Sequence, residues 1–421
     1  MGQLFRRADI LLPEKDIDMT KWSVVACDQF SSQPAYWEAR KREIGEEPSS
    51  LHMMLPEAYL ASSDPVAAAR HIDLAMEDYL GLGIFRTVSD SYVYVERTLQ
   101  SGKTRRGLVG VLDLEEYDYS RGSVSPIRAT EGTIESRLPV RVQVREGAAL
   151  EMPHIMVFID DPDNTVMGRL AESAHLLPEL YDFELNGGGG HLTGCQVSGK
   201  AADKVDAALA ALGAPETLRK KYGVGAPVVF AMGDGNHSLA TAKQCWERMK
   251  PRLTVAEKEN HPARWSLVEL VNIHDEAIAF EPIHRVLFDT DPEAFLRMAA
   301  DRIENDFHPG AGLHRVLLVT EAEELEITAT GFSIGSLIGA AEEFCQDYIA
   351  AHGGRVDYIH NDETAMELGR KAGCAALLLP KMEKDELFPS IVRSGPFPKK
   401  SFSIGRAEDK RYYVECRKIK I

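Results

Sequence analysis

The stretch Gly233-Asp234-Gly235-Asn236-His237-Ser238 groups polar and charged side chains with two glycines. It follows an apolar, β-branched run that ends at Phe230, and it precedes a segment with the periodicity of an amphipathic helix. This order predicts a strand, a glycine turn and a helix that begins near Ser238. The backbone N–H groups at a helix start lie at the positive end of the helix dipole and favour a phosphate or a carboxylate. Gly233 and Gly235 would let the backbone approach such an anion closely.

The side chains of this turn could also take part in chemistry. Asp234 could hold a magnesium ion or act as a base, while Asn236, His237 and Ser238 offer hydrogen-bond donors at the helix start. In the alternative interpretation, Asp234 or Asn236 only caps the helix and the glycines only form the turn. The segment is not a P-loop, because no Gly-Lys followed by Ser or Thr is present, and Ser238 stands where a Rossmann fingerprint has its third glycine.

A second candidate is Asp28, which directly follows the apolar run at residues 22–27. That run predicts a buried strand, and loops at strand ends often carry ligand contacts. Asp28 could act as a base or as a magnesium ligand. Alternatively, Asp28 and Ser31 cap a helix predicted around residues 36–41.

Four arginines could form an anion-binding face. The alternation of valine with polar residues over 138–146 predicts a strand with Arg141 and Arg145 on one face. Arg128 and Arg137 would add to that charge. A solvated face with cross-strand ion pairs is the alternative.

Three further candidates lie nearer the C-terminus. His284 and Arg285 follow a predicted turn in the sequence PIHRV, where His284 is either a structural histidine or a ligand contact. Lys400 belongs to the sequence PKKSF. Adjacent side chains of a strand point to opposite faces, so only one of Lys399 and Lys400 would face a site.

The pattern along the chain predicts a mixed α/β fold built from three parts. Residues 1–290 form a main α/β domain that carries the glycine turn, 291–385 a smaller α/β subdomain, and 386–421 a basic segment that returns to the main domain. The main domain includes a helix over 64–85 and a hairpin over 91–114. The last 26 residues hold eight Lys or Arg against three Asp or Glu, and a terminal hairpin is the simplest interpretation.

Composition excludes several classes of protein. A hydrophobic content of 44% and a charged content of 27% are typical of a folded, soluble protein. A net charge of −17 argues against broad nucleic-acid binding. The N-terminus does not resemble a signal peptide and no apolar run is long enough for a membrane helix. The six cysteines form no CxxC pair, which predicts reduced thiols, a cytoplasmic location and no thiolate metal site.

Six blocks together resemble the bacterial and archaeal family called domain of unknown function 1015: WSVVACDQFSSQPAYWE, IRATEGT, PHIMVFIDDP, AMGDGNHSLATAK, EPIHRVL and FPKKSFSIGRAEDKRYYVECRKI. The central motif of that family, of the type Asp-Gly-His-His-Arg, is similar to the phosphate-binding turn of the ParB and sulfiredoxin superfamily. That superfamily includes nucleotide-binding partition proteins and free-serine kinases. Here Asn236 and Ser238 replace the first histidine and the arginine. Another cation must therefore pair with the phosphate, and the candidates are Arg128, Arg137, Arg285 and Lys400.

The resemblance also implies a function, because members of the family look like genomic neighbours of serine-biosynthesis genes. We expect a phosphoryl-transfer enzyme that acts on serine or phosphoserine, as a kinase or as a phosphatase, with Mg²⁺ and with ATP or ADP as cofactors. A small phosphorylated metabolite or a nucleotide would be its partner, and a homodimer is compatible with this function. A ParB-like regulatory protein that binds a nucleotide without turnover is the alternative. A sulfiredoxin-type redox enzyme would need a cysteine at position 236, where this chain has Asn236.

Overall fold

The computed structural model describes residues 3–120, 122–133, 138–223, 228–305 and 312–420. Within these ranges the strands, in chain order, are β1 Phe5–Arg6, β2 Ala8–Pro13, β3 Val24–Val25, β4 Phe85–Thr98, β5 Thr104–Asp113, β6 Tyr117–Asp118, β7 Ile127–Arg128, β8 Leu150–Glu151, β9 Met156–Ile159, β10 Glu179–Leu185, β11 Gly190–Val197, β12 Phe230–Asp234, β13 Trp265–Asn272, β14 Phe280–Pro282, β15 His284–Phe288, β16 Leu313–Val319, β17 Glu324–Thr330, β18 Arg355–Ile359, β19 Ala375–Leu378, β20 Phe402–Ile404, β21 Tyr412–Tyr413 and β22 Arg417–Lys418.

The α-helices of the same ranges are α1 Met19–Trp22, α2 Pro34–Ile44, α3 Pro65–Gly81, α4 Leu138–Gly147, α5 Met167–Ser173, α6 Gly199–Leu212, α7 Pro215–Tyr222, α8 Asn236–Met249, α9 Val255–Asn260, α10 Pro292–Asn305, α11 Ile334–His352, α12 Asp362–Gly369 and α13 Leu387–Ser394. The predicted helix over 64–85 is α3, with Asp64 as its cap and a proline at its first position. Among the described residues, no helix has the length and apolar composition needed to cross a membrane.

Eleven of these strands form one large mixed sheet. Its order is β10-β11-β4-β5-β13-β9-β12-β7-β6, with β1 pairing with β5 and β2 with β4. The antiparallel pairing of β4 with β5 confirms the predicted hairpin. Strand β12 pairs antiparallel with β9 and parallel with β7, so the sheet contains both kinds of ladder. The mixed α/β class expected from the sequence is confirmed.

A second sheet of five described strands lies later in the chain, in the order β17-β16-β19-β15-β18. Its first strand, β15, precedes residue 291, where the sequence pattern placed the start of a subdomain. Side chains of both sheets belong to one buried cluster, which includes Phe158 and Val271 of the large sheet and Leu318 and Leu377 of the second. The two sheets therefore share a hydrophobic core.

The basic C-terminal segment does not form the predicted hairpin. Instead β20 pairs with β14, β21 with β3, and β22 with β8. Its arginines are also engaged by buried carboxylates: Arg411 bonds Glu269 at 2.8 Å and Arg417 bonds Glu151 at 2.8 Å. The segment thus supplies edge strands and buried counter-charges to earlier parts of the chain.

The strand predicted over 138–146 is also wrong, because this segment is helix α4. Leu138 and Val142 are buried, and the helix packs between α3 and α8. At a spacing of four residues, Arg141 and Arg145 lie on neighbouring turns, where they pair with Glu57 and Glu151. Tertiary packing outweighs the β-propensity of three alternating valines.

Candidate active site

The turn between β12 and α8 has the predicted order of strand, glycine and helix. Gly235 precedes the helix with a φ of 79°, in the left-handed region that favours glycine. A Cβ atom at this position would lie 3.1 Å from the Cα of Ile155, so a side chain here would also force its neighbour to shift by a few tenths of an ångström. At Gly233 a Cβ atom would lie 2.9 Å from the ring of Phe158. Both glycines are needed for the backbone to pass this close to its neighbours.

No side chain caps the start of α8. The capping position is Gly235, and the Asp234 side chain accepts a hydrogen bond from the Gly235 N–H at 2.9 Å. Asn236 is the first helical residue; its Oδ1 atom is buried and accepts no hydrogen bond from any described residue. The geometry therefore does not support the alternative in which Asp234 or Asn236 serves only as a helix cap.

A polar cleft of about 300 Å³ opens at this turn. It brings together seven residues that the sequence analysis named as candidates, namely Asp28, Arg141, Asp234, Gly235, Asn236, His237 and Ser238. Five more residues line it: Ser31, Glu57, Glu131, Gly132 and His154. The two candidate regions that were separate in the sequence, around Asp28 and around Asp234, thus face one cleft.

His154 connects Asp28 to the turn. Its Nε2 atom lies 3.5 Å from Asp28 Oδ2 and 3.5 Å from Ser238 Oγ, and its Nδ1 atom lies 2.9 Å from the Tyr413 hydroxyl. Burial alone would raise the pKa of Asp28, but the charge and hydrogen bond of His154 outweigh it and lower that pKa. Burial would likewise lower the pKa of His154, and Asp28 raises it above the ordinary value. The two groups therefore form an ion pair.

Lys410 supplies a cation at the glycine turn. Its Nζ lies 3.0 Å from Asp234 Oδ2. Burial lowers the pKa of Lys410, but the charge of Asp234 and its hydrogen bond raise it overall. The Lys410 carbonyl accepts a hydrogen bond from Arg97, a buried residue that also donates to the Gly189 carbonyl at 2.8 Å. Arg97 thus holds the backbone of Lys410, whose side chain reaches the cleft residue Asp234 without itself lining the cleft.

Glu131 is the carboxyl group of the cleft with a markedly raised pKa. Burial raises the pKa of Glu131 to about 7, and the charge of Asp234 adds to this, while the Ser401 N–H, at 3.3 Å, opposes it. Next to it, the backbone of Gly132 donates to the Phe397 carbonyl at 3.2 Å, which ties this loop to the C-terminal segment. A carboxyl group with this pKa can gain or lose a proton near neutral pH.

The comparison with protein families matches residues 11–348 to a family described as "Protein of unknown function (DUF1015)". The chain belongs to the DUF1015 family. The matched range includes Asp28, Glu131, His154 and the glycine turn, whereas Lys410 lies after it. A search of curated proteins finds no match.

Solved structures with a similar arrangement include three proteins of low identity. A free serine kinase variant in complex with ADP has a TM-score of 0.37 at 9% identity, over 77% of this chain and 95% of that one. SbnI with a C-terminal truncation, from Staphylococcus aureus, has a TM-score of 0.35 at 9% identity, over 70% of this chain and 82% of that one. A conserved hypothetical protein from Pyrococcus furiosus has a TM-score of 0.33 at 9% identity, over 73% of this chain and 94% of that one. At these scores the likeness carries no ligand or activity across to the DUF1015 chain.

Two of the cations predicted to bind the phosphate lie outside the cleft. Arg285 is fully buried and pairs with Glu342 at 3.0 Å, between the second sheet and α11. Lys400 is exposed and lies over the ring of Tyr358, with its Nζ 4.5 Å from the centroid. Neither residue lines the cleft, because both are bound to partners in the later part of the chain.

The remaining predicted binding residues are also outside the cleft lining. Arg128 is buried, and its Nε donates to the Ser125 carbonyl at 2.8 Å. His284 is held at both ring nitrogens, by Asp362 at 2.8 Å and by the Leu379 N–H at 3.1 Å, so it is a structural histidine here. Arg137 lies outside the described residues. Gly233 shapes the turn without lining the cleft.

The residues that sequence reasoning missed include Glu131, His154 and Lys410. Each lies in a block that carries the resemblance to the DUF1015 family, in the sequences IRATEGT, PHIMVF and EDKRYY. The sequence therefore marked these three positions only through the family resemblance of the blocks that contain them. No local spacing connects these positions to the glycine turn, because β-sheet pairing brings them together.

The magnesium ion expected from the sequence has no preformed cluster of ligands among the described residues. No group of three or more His, Cys, Asp or Glu side chains in these ranges is arranged to hold a metal ion. Asp234, the predicted ligand, has one carboxylate oxygen on Lys410 and the other on the Gly235 N–H. Mg²⁺ in phosphoryl-transfer sites is usually held by one or two carboxylates together with substrate phosphates and water, so Asp234 remains a predicted ligand.

Proposed function

We propose that the cleft catalyses phosphoryl transfer to or from the hydroxyl group of a small amino acid, with serine and phosphoserine as the first choice. The observation that carries this proposal is the start of α8, which lines the cleft, has no side-chain cap and lies beside Lys410. A phosphate group placed at residues 235–238 would meet the positive end of the helix dipole. Transferred phosphoryl groups need fixed donors and cations more than covalent chemistry, and this turn offers both.

The mixed charge of the cleft fits an amino acid. Arg141 could pair with the carboxylate of the substrate, and the buried Oδ1 of Asn236 could accept a hydrogen bond from its ammonium group. A small zwitterion presents both charges within a few ångströms. The replacement of the family's first histidine by Asn236 would then provide an acceptor where the family motif has an imidazole.

Glu131 is the best candidate for the base. Asp28 and Asp234, the bases predicted from the sequence, are each paired with a cation, His154 or Lys410. In the kinase direction, Glu131 would take the proton of the serine hydroxyl while that oxygen bonds to the phosphorus and the bond to the leaving nucleotide oxygen breaks. In the phosphatase direction, it would take the proton of the attacking water while the water oxygen bonds to phosphorus and the bond from phosphorus to the serine oxygen breaks. The serine oxygen would take up a proton from solvent and leave as the hydroxyl. A raised pKa matches either task at neutral pH.

A direct assay tests the proposal. The protein is incubated with magnesium and ATP or ADP plus serine, or with phosphoserine alone, and phosphoserine and free phosphate are measured. We expect one of these products, and we expect Glu131→Gln to lower the rate of its formation by about 10²- to 10⁴-fold. Glu172→Gln, which changes an exposed carboxylate on α5, is the matched control and should leave the rate unchanged. If neither product forms under any condition, the serine assignment is wrong; nucleotide binding without transfer would favour the regulatory alternative.

A further inference from the structure

A second cavity, of about 170 Å³, lies beside the polar cleft and has an apolar lining. Its walls come from α3, α4, β8 and the segment at residues 53–60. The apolar side chains that line it include four methionines, Met53, Met54, Met76 and Met152. Thioethers adapt to irregular shapes and make favourable contacts with aromatic rings.

The cavity and the cleft share a wall. Glu57, Arg141, His154 and Ser238 line both of them. Arg141 and Glu57 form an ion pair on this wall, and their side chains are only 18% and 20% exposed. A ligand that occupies both spaces would therefore pass this ion pair. With volumes of about 170 and 300 Å³, the two spaces together match the size of pockets for small organic ligands.

We propose that the apolar cavity binds the heteroaromatic base of a nucleotide whose phosphates lie at the start of α8, with Glu57 facing the ribose. The inference rests on the proposed function, which requires a phosphoryl donor or acceptor besides the small amino acid. Serine has no apolar part that could use such a cavity, whereas a base has two apolar faces. Carboxylates are common partners of ribose hydroxyls in nucleotide sites, and Glu57 lies between the two spaces that base and phosphates would occupy.

The contribution of the base can be measured on the unmodified protein. Calorimetric titration compares ADP with inorganic pyrophosphate, which carries the two phosphates without base or ribose. We expect ADP to bind at least tenfold more tightly. Equal affinities for the two ligands would overturn the proposal, since the cavity would then contribute nothing.

A filled cavity provides the second test. Val144 lines the cavity from α4, whereas Gln143 is exposed on the same helix, so Val144→Phe and Gln143→Phe add the same ring inside and outside the cavity. We expect Val144→Phe to weaken ADP binding at least tenfold and to leave pyrophosphate binding unchanged, while Gln143→Phe alters neither. A folded Val144→Phe protein that binds ADP as well as its parent would contradict the proposal. If the variant does not fold, the comparison of ADP with pyrophosphate decides.

The outcome also separates this inference from the proposed function. Tight, base-dependent ADP binding without any phosphoserine or phosphate formed would support the cavity assignment and reject the reaction. Formation of phosphoserine from a nucleotide, with equal affinities for ADP and pyrophosphate, would support the reaction and reject the cavity assignment.

Discussion

At the scale of single residues, Glu131 is a carboxyl group of the cleft whose charge changes near neutral pH. Burial raises its pKa to about 7, so the fraction that is ionised and able to accept a proton increases as the pH rises through this value. We expect the rate of phosphoryl transfer to rise with pH through about 7 and Glu131→Gln to lower kcat by about 10²- to 10⁴-fold, the usual contribution of a positioned base. Steady-state kinetics from pH 5 to 9 measure both effects. An unchanged pH profile in Glu131→Gln would assign the titration to another group.

The pair of Asp28 and His154 makes a stability prediction with a defined pH window. The pKa of Asp28 is lowered from 3.8, so its contribution is present above pH 3.8 and is lost as the pH falls through the folded-state pKa. The pKa of His154 is raised from 6.5, so its contribution is present below pH 6.5 and is lost as the pH rises through the folded-state pKa. The pair therefore stabilises the protein most between these values.

We expect Asp28→Asn to lower the free energy of unfolding by about 2 kcal/mol at pH 5, because the pair is partly buried. At pH 9 we expect a smaller loss, because His154 has then lost more of its charge. Urea denaturation of the parent and the variant at pH 5 and pH 9 measures this difference in unfolding free energy. Asp182→Asn is a matched control, because Asp182 pairs with His191 at 2.7 Å but both side chains are more than a third exposed. A pH-independent loss in Asp28→Asn would mean that its effect does not arise from the ion pair.

The candidate site was only partly predictable from residue types. Asp28, Asp234 and Asn236 could be selected because each follows an apolar run or accompanies glycines. Lys410 could not, since lysines are common in the basic C-terminal segment and nothing local distinguishes it from Lys400. Its role depends on the pairing of β21 with β3, which places residue 410 beside Asp234.

At the scale of elements, the turn between β12 and α8 depends on glycine for two physical reasons. Gly235→Ala combines a left-handed φ with a close approach to Ile155, whereas Gly83→Ala has a positive φ of 69° with open space around the new Cβ. We expect a loss of about 1 kcal/mol in unfolding free energy for Gly83→Ala and at least about 2 kcal/mol for Gly235→Ala. Thermal and urea unfolding measure these values. Equal losses would show that the contact with Ile155 relaxes at little cost.

Helix α4 marks the limit of pattern-based prediction for elements. Val140, Val142 and Val144 alternate as in a strand, yet α4 is a helix because it packs between α3 and α8 and pairs Arg141 with Glu57. The hairpin of β4 and β5 was predictable since its signal is local. Contacts between distant segments leave no such signal in the sequence of α4.

At the scale of the whole molecule, the shared core predicts that both sheets unfold together. The four tryptophans, at positions 22, 37, 246 and 265, all precede the second sheet, so their fluorescence reports on the first part of the chain. Leu318 of β16 is 1% exposed, whereas Leu313 of the same strand is 68% exposed. We expect Leu318→Ala to lower the unfolding free energy by about 3 kcal/mol in both tryptophan fluorescence and circular dichroism, and Leu313→Ala to change it little. A shift in circular dichroism alone would show that the sheets unfold separately.

The overall architecture was predictable in class but not in its boundaries. Alternating helices and strands after residue 291 indicated a second α/β unit. Strand β15 joins that unit by pairing with β18 and β19, which follow it by many residues. Long-range ladders of this kind are decided by tertiary packing, so sequence periodicity could not place the first strand of the second sheet.

The C-terminal segment also has a consequence for synthesis. The hydrogen bond from Cys27 to Tyr413 joins residues 386 positions apart, and Lys410 lies three residues before that tyrosine. On the ribosome, Asp28 and the glycine turn are synthesised long before Lys410. During that time β3, β8 and β14 have no partner from this segment, and Asp234 has no counter-charge. The ion pair of Asp234 with Lys410 and the strand partner of β3 can therefore form only after the C-terminal segment has been made.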